Sequence, residues 1–355
     1  MIVDHRITRS LEIIHASQAP SGAYLASPNF PTYHYCWFRD GSFIAYAMDL
    51  YGEHESARRF HNWAAAMVNA RAAIVQRAVE TGRSGAALKA EDILHTRYAV
   101  DGAESGEDWP NHQLDGLGTW LWALEQHRNL NAKPLSSEHL GAARLVADYL
   151  EALWPRPCFD CWEEFSDQVH LHTLAAIYAG LQAEAQLNER EHAAALEVIL
   201  DTIFSRGVYQ GAFVKFLGSR QVDASLLGLG VPYGVVAVDD DRMRQSVTRI
   251  EAELRAPGGG VHRYLADTYY GGGEWVLLTA WLGWYYAISG KRECAQDFLR
   301  WVESCADQAG NLPEQIPVNL NDPHYYPEWV MRWGEIANPL LWSHAMALIL
   351  RKCLE

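Results

Sequence analysis

Two short peptides of this chain place carboxylates beside bulky or rigid neighbours, and they lie about 150 positions apart. They are Cys161-Trp162-Glu163-Glu164-Phe165 and Leu312-Pro313-Glu314-Gln315, each in a predicted loop just ahead of a predicted helix. Two carboxyl groups brought into one cavity are the minimum requirement for cleaving a glycosidic bond. One protonates the leaving oxygen, and the other attacks the sugar or activates the water that does so.

A tryptophan beside a carboxyl supports this chemistry, because its flat face packs against a sugar ring and its apolar surface raises the pKa of the acid. Taken alone, Glu163 fits equally well as a solvated residue in the first turn of a helix. The organisation of the rest of the chain therefore has to separate the two interpretations.

The composition excludes several classes of partner. Of 355 residues, 49% are hydrophobic and 21% are charged, so a large core is expected and disorder is not. Forty-four acidic against 29 basic residues give a formal charge of −15. This charge argues against nucleic acid or an anionic membrane surface as partner, since both need basic patches. The 14 Trp and 17 Tyr include loop clusters at 33–38 and 267–270, which suit neutral sugar rings.

The chain also lacks the usual signals for export and for metal binding. The N-terminal residues Met1–Arg6 have no apolar segment of signal-peptide length, and nothing downstream approaches a membrane span. Six scattered cysteines fit a reducing compartment. No three or four His, Cys or carboxylate residues show metal-ligand spacing. We therefore expect a cytoplasmic protein that requires no metal and no other cofactor.

Almost every periodic segment repeats at about 3.6 residues, which predicts an all-α fold with few and short strands. Twelve helices are predicted, at 5–17, 41–52, 53–80, 113–129, 135–154, 168–187, 189–205, 223–229, 239–256, 274–289, 291–308 and 338–354. Several consecutive helices are joined by short connections, so these partners run antiparallel. The other connections are long and rich in Trp, Tyr, Gly and Pro, at 18–40, 81–112, 155–167, 206–222, 257–273 and 309–337.

Every distinctive motif lies in one of these long loops, just before an even-numbered helix. If the even helices form an inner ring and the odd helices an outer ring, the six loops meet at the N-terminal ends of the inner helices. This arrangement is an (α/α)6 barrel of six helical hairpins with one composite site in its funnel. A helical solenoid also consists of hairpins, but its signature residues should recur at a fixed spacing, and these motifs differ from loop to loop.

The motifs resemble those of glycoside hydrolase family 15, the glucoamylase-like enzymes, over residues 30–350. They stand in family order as Trp37-Phe38-Arg39-Asp40, Trp109-x-x-x-Gln113-x-Asp115-Gly116, Trp162-Glu163-Glu164, Arg263-Tyr264-x-x-Asp267-Thr268-Tyr269-Tyr270, Pro313-Glu314-Gln315 and Asn338-Pro339-Leu340-Leu341-Trp342-Ser343-His344. The resemblance implies an (α/α)6 barrel that releases β-glucose from non-reducing ends with inversion.

Carried over residue by residue, the resemblance also implies a division of roles. Glu163 corresponds to the general acid, and Glu314 to the base that activates water. Arg39 and Asp40 correspond to a clamp on the O4 and O6 hydroxyls of the terminal glucose, for which a structural ion pair at a helix N-terminus is the alternative. The full set implied to bind substrate is Tyr33, Trp37, Arg39, Asp40, Trp109, Trp162, Glu164 and Arg263.

The chain departs from the family in its domain composition. We expect residues 1–355 to form a single catalytic domain, without the added β-sandwich or starch-binding domain of many relatives. Glu274 stands where the family often has Asn and Pro, and could alter the second subsite or favour the helix N-terminus. The loop 316–337, which follows the expected base, is long enough to roof the pocket.

These observations favour an exo-acting α-glucosidase for short α-1,6 glucosides of the isomaltose type, with a small oligosaccharide as its expected substrate. Malto-oligosaccharides with α-1,4 linkages and trehalose remain alternative substrates. A non-catalytic sugar-binding barrel is a competing function. A phosphorylase or lyase on the same fold is another, and phosphorolysis would need a cationic pocket that Lys215 and Arg220 could begin to build.

Overall fold

The computed structural model describes residues 5–131 and 133–355. Residues 1–4, part of the N-terminal segment without a predicted signal peptide, and Ala132 lie outside this range. The described α-helices are α1 (His5–Ala16), α2 (Phe38–Leu50), α3 (His54–Ala70), α4 (Ala72–Ser84), α5 (Asp115–Asn131), α6 (Ser137–Leu153), α7 (Leu171–Asn188), α8 (Ala193–Arg206), α9 (Asp241–Leu254), α10 (Val276–Ile288), α11 (Arg292–Ser304), α12 (Tyr326–Trp333) and α13 (Leu341–Leu354).

The inner ring of the barrel consists of six elements. They are α2, α5, α7, a 3₁₀-helix over Ala224–Leu229, α10 and α13; each packs against the next, and α13 packs against α2 to close the ring. The outer layer contains α1, α3 with α4, α6, α8, α9 and α11. Inner α10 is buried throughout 276–286, whereas outer α11 buries only one stripe. The prediction of an all-α (α/α)6 barrel is confirmed.

Close approach and aromatic packing fill the inside of this ring. Helices α5 and α7 meet at Gly118 and Gly180, where a Cβ on Gly118 would lie 2.4 Å from a backbone oxygen of α7. Phe43 of α2 packs against Trp281 of α10 and Trp342 of α13, with ring centroids 5.4 Å apart in both pairs. Because the centre of the barrel is occupied by these side chains, the funnel formed by the loops ends blindly.

The strands are short and antiparallel, and two of the three ladders tie together the loops at the mouth of the barrel. They are β1 (Cys36–Trp37) with β2 (Arg97–Tyr98), β3 (Val208–Tyr209) with β4 (Ala212–Phe213), and β5 (Glu274–Trp275) with β6 (Gln315–Ile316). Strands β1 and β5 run directly into the inner helices α2 and α10. None of the described helices combines the length and apolarity needed to cross a bilayer.

The predicted helix 53–80 is wrong, because the chain forms two helices there. Arg71 leaves helical geometry with φ −110° and ψ 19°. Its side chain instead donates to the carbonyl of Gly102 at 3.0 Å and to Glu104 at 2.8 Å. These contacts with a distant loop compensate for the interruption, and a local periodicity carries no signal for them.

Two further elements differ from the prediction. Segment 223–229 is a 3₁₀-helix rather than an α-helix, since six residues including a glycine are too few to stabilise an α-helical nucleus. Residues 326–333, predicted to lie in a loop, form α12. Trp329 and Trp333 stand one turn apart in α12 with centroids at 4.9 Å, and their packing on the mouth of the barrel stabilises this short helix.

Candidate active site

A cavity of about 340 Å³ opens at the N-terminal ends of the inner helices. The structure brings all ten residues that the sequence singled out to its lining, namely Glu163, Glu314, Tyr33, Trp37, Arg39, Asp40, Trp109, Trp162, Glu164 and Arg263. They come from five separate loops or helix starts along the chain. Five of the six long loops thus converge on one composite site, whereas the loop 206–222 contributes no lining residue.

Glu163 is held in a tight turn that aims its side chain into the cavity. The carboxylate of Asp160 accepts from the backbone N–H groups of Trp162 and Glu164, both at 2.9 Å. Glu163 itself has φ 70°, a left-handed conformation that costs a non-glycine residue about 1–3 kcal/mol. The indole N–H of Trp37 donates to Oε1 of Glu163 at 2.6 Å. The turn is therefore strained, and its carboxyl is oriented from across the cavity.

A buried ion cluster supports this turn from below. Lys215 is 3% exposed and lies 3.1 Å from Asp160 and 2.6 Å from Asp223. Asp223 in turn accepts from the indole N–H of Trp162 at 3.1 Å. Because both carboxylates engage Lys215, this cation fixes the turn and is not available as a phosphate ligand. Arg220 is exposed and does not line the cavity, so the cationic pocket needed for phosphorolysis is not formed by these two residues.

Glu314 occupies a more enclosed position, at 4% exposure. The hydroxyl of Tyr33 donates to its Oε1 at 3.1 Å, and the hydroxyls of Tyr33 and Tyr269 lie 2.7 Å apart. Oε2 of Glu314 has no hydrogen-bond partner within the described part of the chain. Burial raises the pKa of Glu314 to about 8, against the lowering effect of the hydrogen bond from Tyr33 and the charge of Arg263. One oxygen of this carboxyl is thus free to engage a water or a sugar.

Arg39 and Asp40 lie in the first turn of α2 rather than in the loop before it. Arg39 donates to Gln113 at 3.0 Å and to Asp115 at 3.2 Å, and its Nε lies 3.5 Å from Oδ2 of Asp40. Among residues 5–131 and 133–355, Oδ2 of Asp40 has no hydrogen-bond donor. Burial raises the pKa of Asp40 to about 6, although the Arg39 charge opposes the shift. Asp115 orients the arginine, and Asp40 keeps an acceptor open toward the cavity.

Glu164 and Arg263 form a second charged group on the cavity wall. Arg263 pairs with Asp267 through two nitrogens and donates to Oε1 of Glu164 at 3.4 Å. Tyr264 donates a short hydrogen bond to the other oxygen of Glu164. Burial raises the pKa of Glu164, and the charge of Arg263 opposes this effect. The adjacent carboxyls of Glu163 and Glu164 therefore have different partners and different surroundings.

Aromatic side chains line the remaining walls. Trp37 and Trp109 meet edge to face at 6.0 Å, and the buried guanidinium of Arg97 lies 3.5 Å from the ring centre of Trp109. Trp333 of α12 stacks on Trp109 at 6.1 Å. The loop 316–337 thus forms a roof, as its length suggested. Twelve further lining residues were not among the predicted site residues, namely Ala26, Asp108, Pro110, Cys161, Tyr269, Trp275, Leu277, Trp329, Arg332, Trp333, Leu340 and Trp342.

The structure assigns Glu274 to the support of the loops. It is 1% exposed and does not line the cavity. Its two oxygens accept from the backbone N–H of Gly260 at 2.9 Å and from Asn319 at 2.5 Å. Glu274 therefore ties three loops together and does not form part of a sugar subsite.

The aromatic pair Trp329 and Trp333 was the sequence signal that could have identified α12, because a spacing of four residues places both rings on one helical face.

Comparison with known proteins agrees with this geometry. The sequence matches the family described as "Glycosyl hydrolases family 15" over residues 7–303, a range that includes Glu163 but ends before Glu314. It is 41% identical to the isomaltose glucohydrolase of Kribbella flavida, over 98% of this chain and 92% of that protein. It is 26% identical to Trehalase 1 of Sulfolobus acidocaldarius, over 83% of this chain and 54% of that protein. A glycosidase variant solved in complex with glucose superimposes with a TM-score of 0.93 at 39% identity, over 100% of this chain and 99% of that structure.

Proposed function

Because the chain belongs to the glycosyl hydrolases of family 15, we propose that this glycoside hydrolase is an inverting, exo-acting α-glucosidase. It releases β-D-glucose from the non-reducing end of short α-glucosides and prefers the α-1,6 linkage of isomaltose. The observation that carries the proposal is a blind cavity lined by two carboxyl groups, since such a cavity admits only a chain end. The 41% identity with an isomaltose glucohydrolase supports the linkage.

In this proposal Glu163 is the general acid and Glu314 the general base. The Trp37 N–H occupies one oxygen of Glu163 and leaves the other for the glycosidic oxygen. The partner-free Oε2 of Glu314 takes a proton from water, which attacks the anomeric carbon from the opposite face. Inversion requires about 6.5–9.5 Å between the carboxyl groups, so that the water fits between base and sugar.

The remaining cavity residues bind and orient the sugar. Arg39 and Asp40 donate to and accept from neighbouring hydroxyls of the terminal glucose, and Arg263 adds a further donor. Trp37, Trp109 and Trp162 present aromatic surface to the rings, with Tyr33 beside the base and Glu164 at the second sugar.

We also propose that residues 1–355 form one catalytic domain that works in the cytoplasm. Helices α1–α13 all belong to the barrel or to the loops at its mouth. The six cysteines are all free thiols, which suits a reducing compartment.

The test of this function is a panel of disaccharides followed by proton NMR. We expect isomaltose to give the highest kcat/KM among isomaltose, maltose, trehalose, nigerose and kojibiose, with β-glucose as the first product. The Glu314→Gln variant, purified in parallel, controls for contaminating glycosidases. Faster cleavage of trehalose or maltose would contradict the proposed preference for the α-1,6 linkage. Release of α-glucose as the first product would indicate a retaining mechanism instead of an inverting one. Binding without hydrolysis would indicate a sugar-binding barrel.

The clamp formed by Arg39 and Asp40 gives a first prediction. Asp40→Ala and Arg39→Ala should each lower kcat/KM about 10- to 100-fold, the equivalent of a lost charged hydrogen bond. The loss should be equal for all glucosides, because these residues contact hydroxyls remote from the broken bond. Near-normal activity with an altered melting temperature would instead make them a structural ion pair.

Glu164 should act mainly on linkage preference. In Glu164→Gln the amide nitrogen can no longer accept from one of its two donors, Arg263 or Tyr264. We expect about a 10-fold loss in kcat/KM for isomaltose and a changed ratio of isomaltose to maltose hydrolysis. An unchanged ratio would remove Glu164 from the second-sugar site.

The pH profile should report the enclosed base. Glu314 must be deprotonated to accept a proton, so kcat/KM falls as the pH drops through its pKa of about 8. The acidic limb should therefore lie near pH 8, well above the ordinary glutamate value of 4.5. Tyr33→Phe removes a hydrogen bond that lowers this pKa, and should move the limb to higher pH. A limb near 4.5 in both proteins would contradict this assignment.

A further inference from the structure

A second group of chemistry-bearing side chains lies away from the sugar cavity. Asp49 near the end of α2, His61 of α3 and His127 of α5 offer ligand atoms that all lie within 4.8 Å of one another. All three residues are buried, at 3%, 0% and 2% exposure. The cavity lies at the N-terminal end of α2, so Asp49 stands about 14 Å further along that helix. The cluster therefore belongs to the opposite end of the barrel.

His61 is the residue that ordinary packing leaves unexplained. Within the described ranges, neither of its ring nitrogens has a hydrogen-bond partner. Burying an unsatisfied polar group is costly, so native structures rarely keep one without a ligand, ion or water. The ring of His61 lies 4.9 Å from that of His127, between centroids. The imidazole of His61 thus lies beside the carboxylate of Asp49 and the imidazole of His127, and both of its own nitrogens are without a hydrogen-bond partner.

From this geometry we propose that Asp49, His61 and His127 bind a divalent transition-metal ion of the Zn²⁺ type. Two imidazole nitrogens and one carboxylate oxygen are ligands that Zn²⁺ accepts in three of its four tetrahedral positions. The ligand atoms would draw together by about 1 Å from their present spacing, because zinc–ligand distances of about 2.1 Å place neighbouring ligands about 3.4 Å apart. The ion uses the lone pair that His61 otherwise leaves unpaired.

The surroundings provide an entry path. Nδ1 of His54 lies 2.8 Å from Oδ1 of Asp49, and the side chain of His54 is 32% exposed. His54 can therefore pass the ion inward from solvent to Asp49, and the fourth coordination position would be left to water. Asp49 also contacts His127 through both oxygens, at 2.9 and 3.0 Å. These contacts orient the carboxylate toward the centre of the cluster.

The ion would act as a structural clamp. Its three ligands come from two inner helices, α2 and α5, and one outer helix, α3. Binding an ion to the folded state alone raises stability by mass action. The ion lies far from the carboxyl groups of the sugar cavity, so its removal should change thermal stability and leave the chemistry of hydrolysis intact.

The experiment uses the full-length, untagged protein, stripped with EDTA and then titrated with Zn²⁺ alone. We expect one Zn²⁺ per chain by elemental analysis after gel filtration, and a melting temperature higher by about 5 °C at saturation. The kcat for isomaltose at 25 °C should be the same with and without one equivalent of Zn²⁺, within about 2-fold. Failure of any disaccharide to react would leave the metal stoichiometry and the melting shift still measurable.

Two variants and a control make the result specific. His61→Phe keeps a flat aromatic ring at this position and removes both nitrogens. It should lose the bound Zn²⁺ and the Zn²⁺-dependent melting shift, while the metal-free protein melts no lower than the parent. If His61→Phe folds poorly, Asp49→Asn is the second variant, and it should weaken Zn²⁺ binding at least about 100-fold. His324→Ala, at an exposed His–Asp pair, should still bind one Zn²⁺.

Two outcomes would overturn the proposal. The stripped parent protein could bind no Zn²⁺, in which case His61 is satisfied by a buried water. Alternatively, the stoichiometry could remain one in both His61→Phe and Asp49→Asn, which would move the ion to another place on the protein.

Discussion

Replacing Glu163 by glutamine should lower kcat for isomaltose by about 10³-fold and leave the hydrolysis of α-glucosyl fluoride within about 10-fold of the parent. The amide cannot protonate a sugar leaving group, whereas fluoride departs without a proton. The glutamine oxygen still accepts from the indole of Trp37, so the geometry of the turn is kept. Initial rates on both substrates, with the melting temperature as a folding check, measure the effect.

Glu164→Gln is the matched control, because it makes the same chemical change one residue further along the chain. Its kcat/KM for isomaltose should stay within about 10-fold of the parent value, far above that of Glu163→Gln. If Glu164→Gln lost isomaltose hydrolysis and kept fluoride hydrolysis, and Glu163→Gln did not show this pattern, Glu164 would be the general acid.

Glu314→Ala should lower kcat about 10³-fold on both isomaltose and α-glucosyl fluoride, with KM changed by less than about 3-fold. A base that activates water is needed in the transition state but contributes little to binding the intact sugar. The measurement is a full saturation curve on each substrate. Added azide should restore turnover by replacing the water and give β-glucosyl azide; an α-linked azide would indicate a retaining mechanism.

Glu163→Gln and Glu314→Ala together decide between two indications that point in opposite directions for the role of Glu314. Burial raises the pKa of Glu314, which is a feature of general acids, whereas the resemblance to family 15 makes Glu314 the base. Fluoride hydrolysis should survive only in the variant that lacks the acid. Survival of fluoride hydrolysis in Glu314→Ala and its loss in Glu163→Gln would exchange the two roles.

Several features of the protein were determined by the sequence alone. The 3.6-residue periodicity and the alternation of short and long connections predicted antiparallel helical hairpins, and the motifs before alternate helices predicted a common site. Both signals are local or depend on order along the chain, and a barrel of hairpins follows from them with few alternatives. The ten predicted site residues lie in one cavity for the same reason, because all of them stand in loops or in the first turn of an inner helix at one end of the hairpins.

The tertiary structure decided what depends on contacts between distant residues. The hydrogen bond from Trp37 to Glu163 joins positions 126 apart, and the one from Tyr33 to Glu314 joins positions 281 apart. The break at Arg71 and the buried position of Glu274 likewise depend on partners in other loops. The trio of Asp49, His61 and His127 comes from three helices with no common spacing. Such pairings leave no periodic trace in the sequence, because only the packed barrel brings their atoms together.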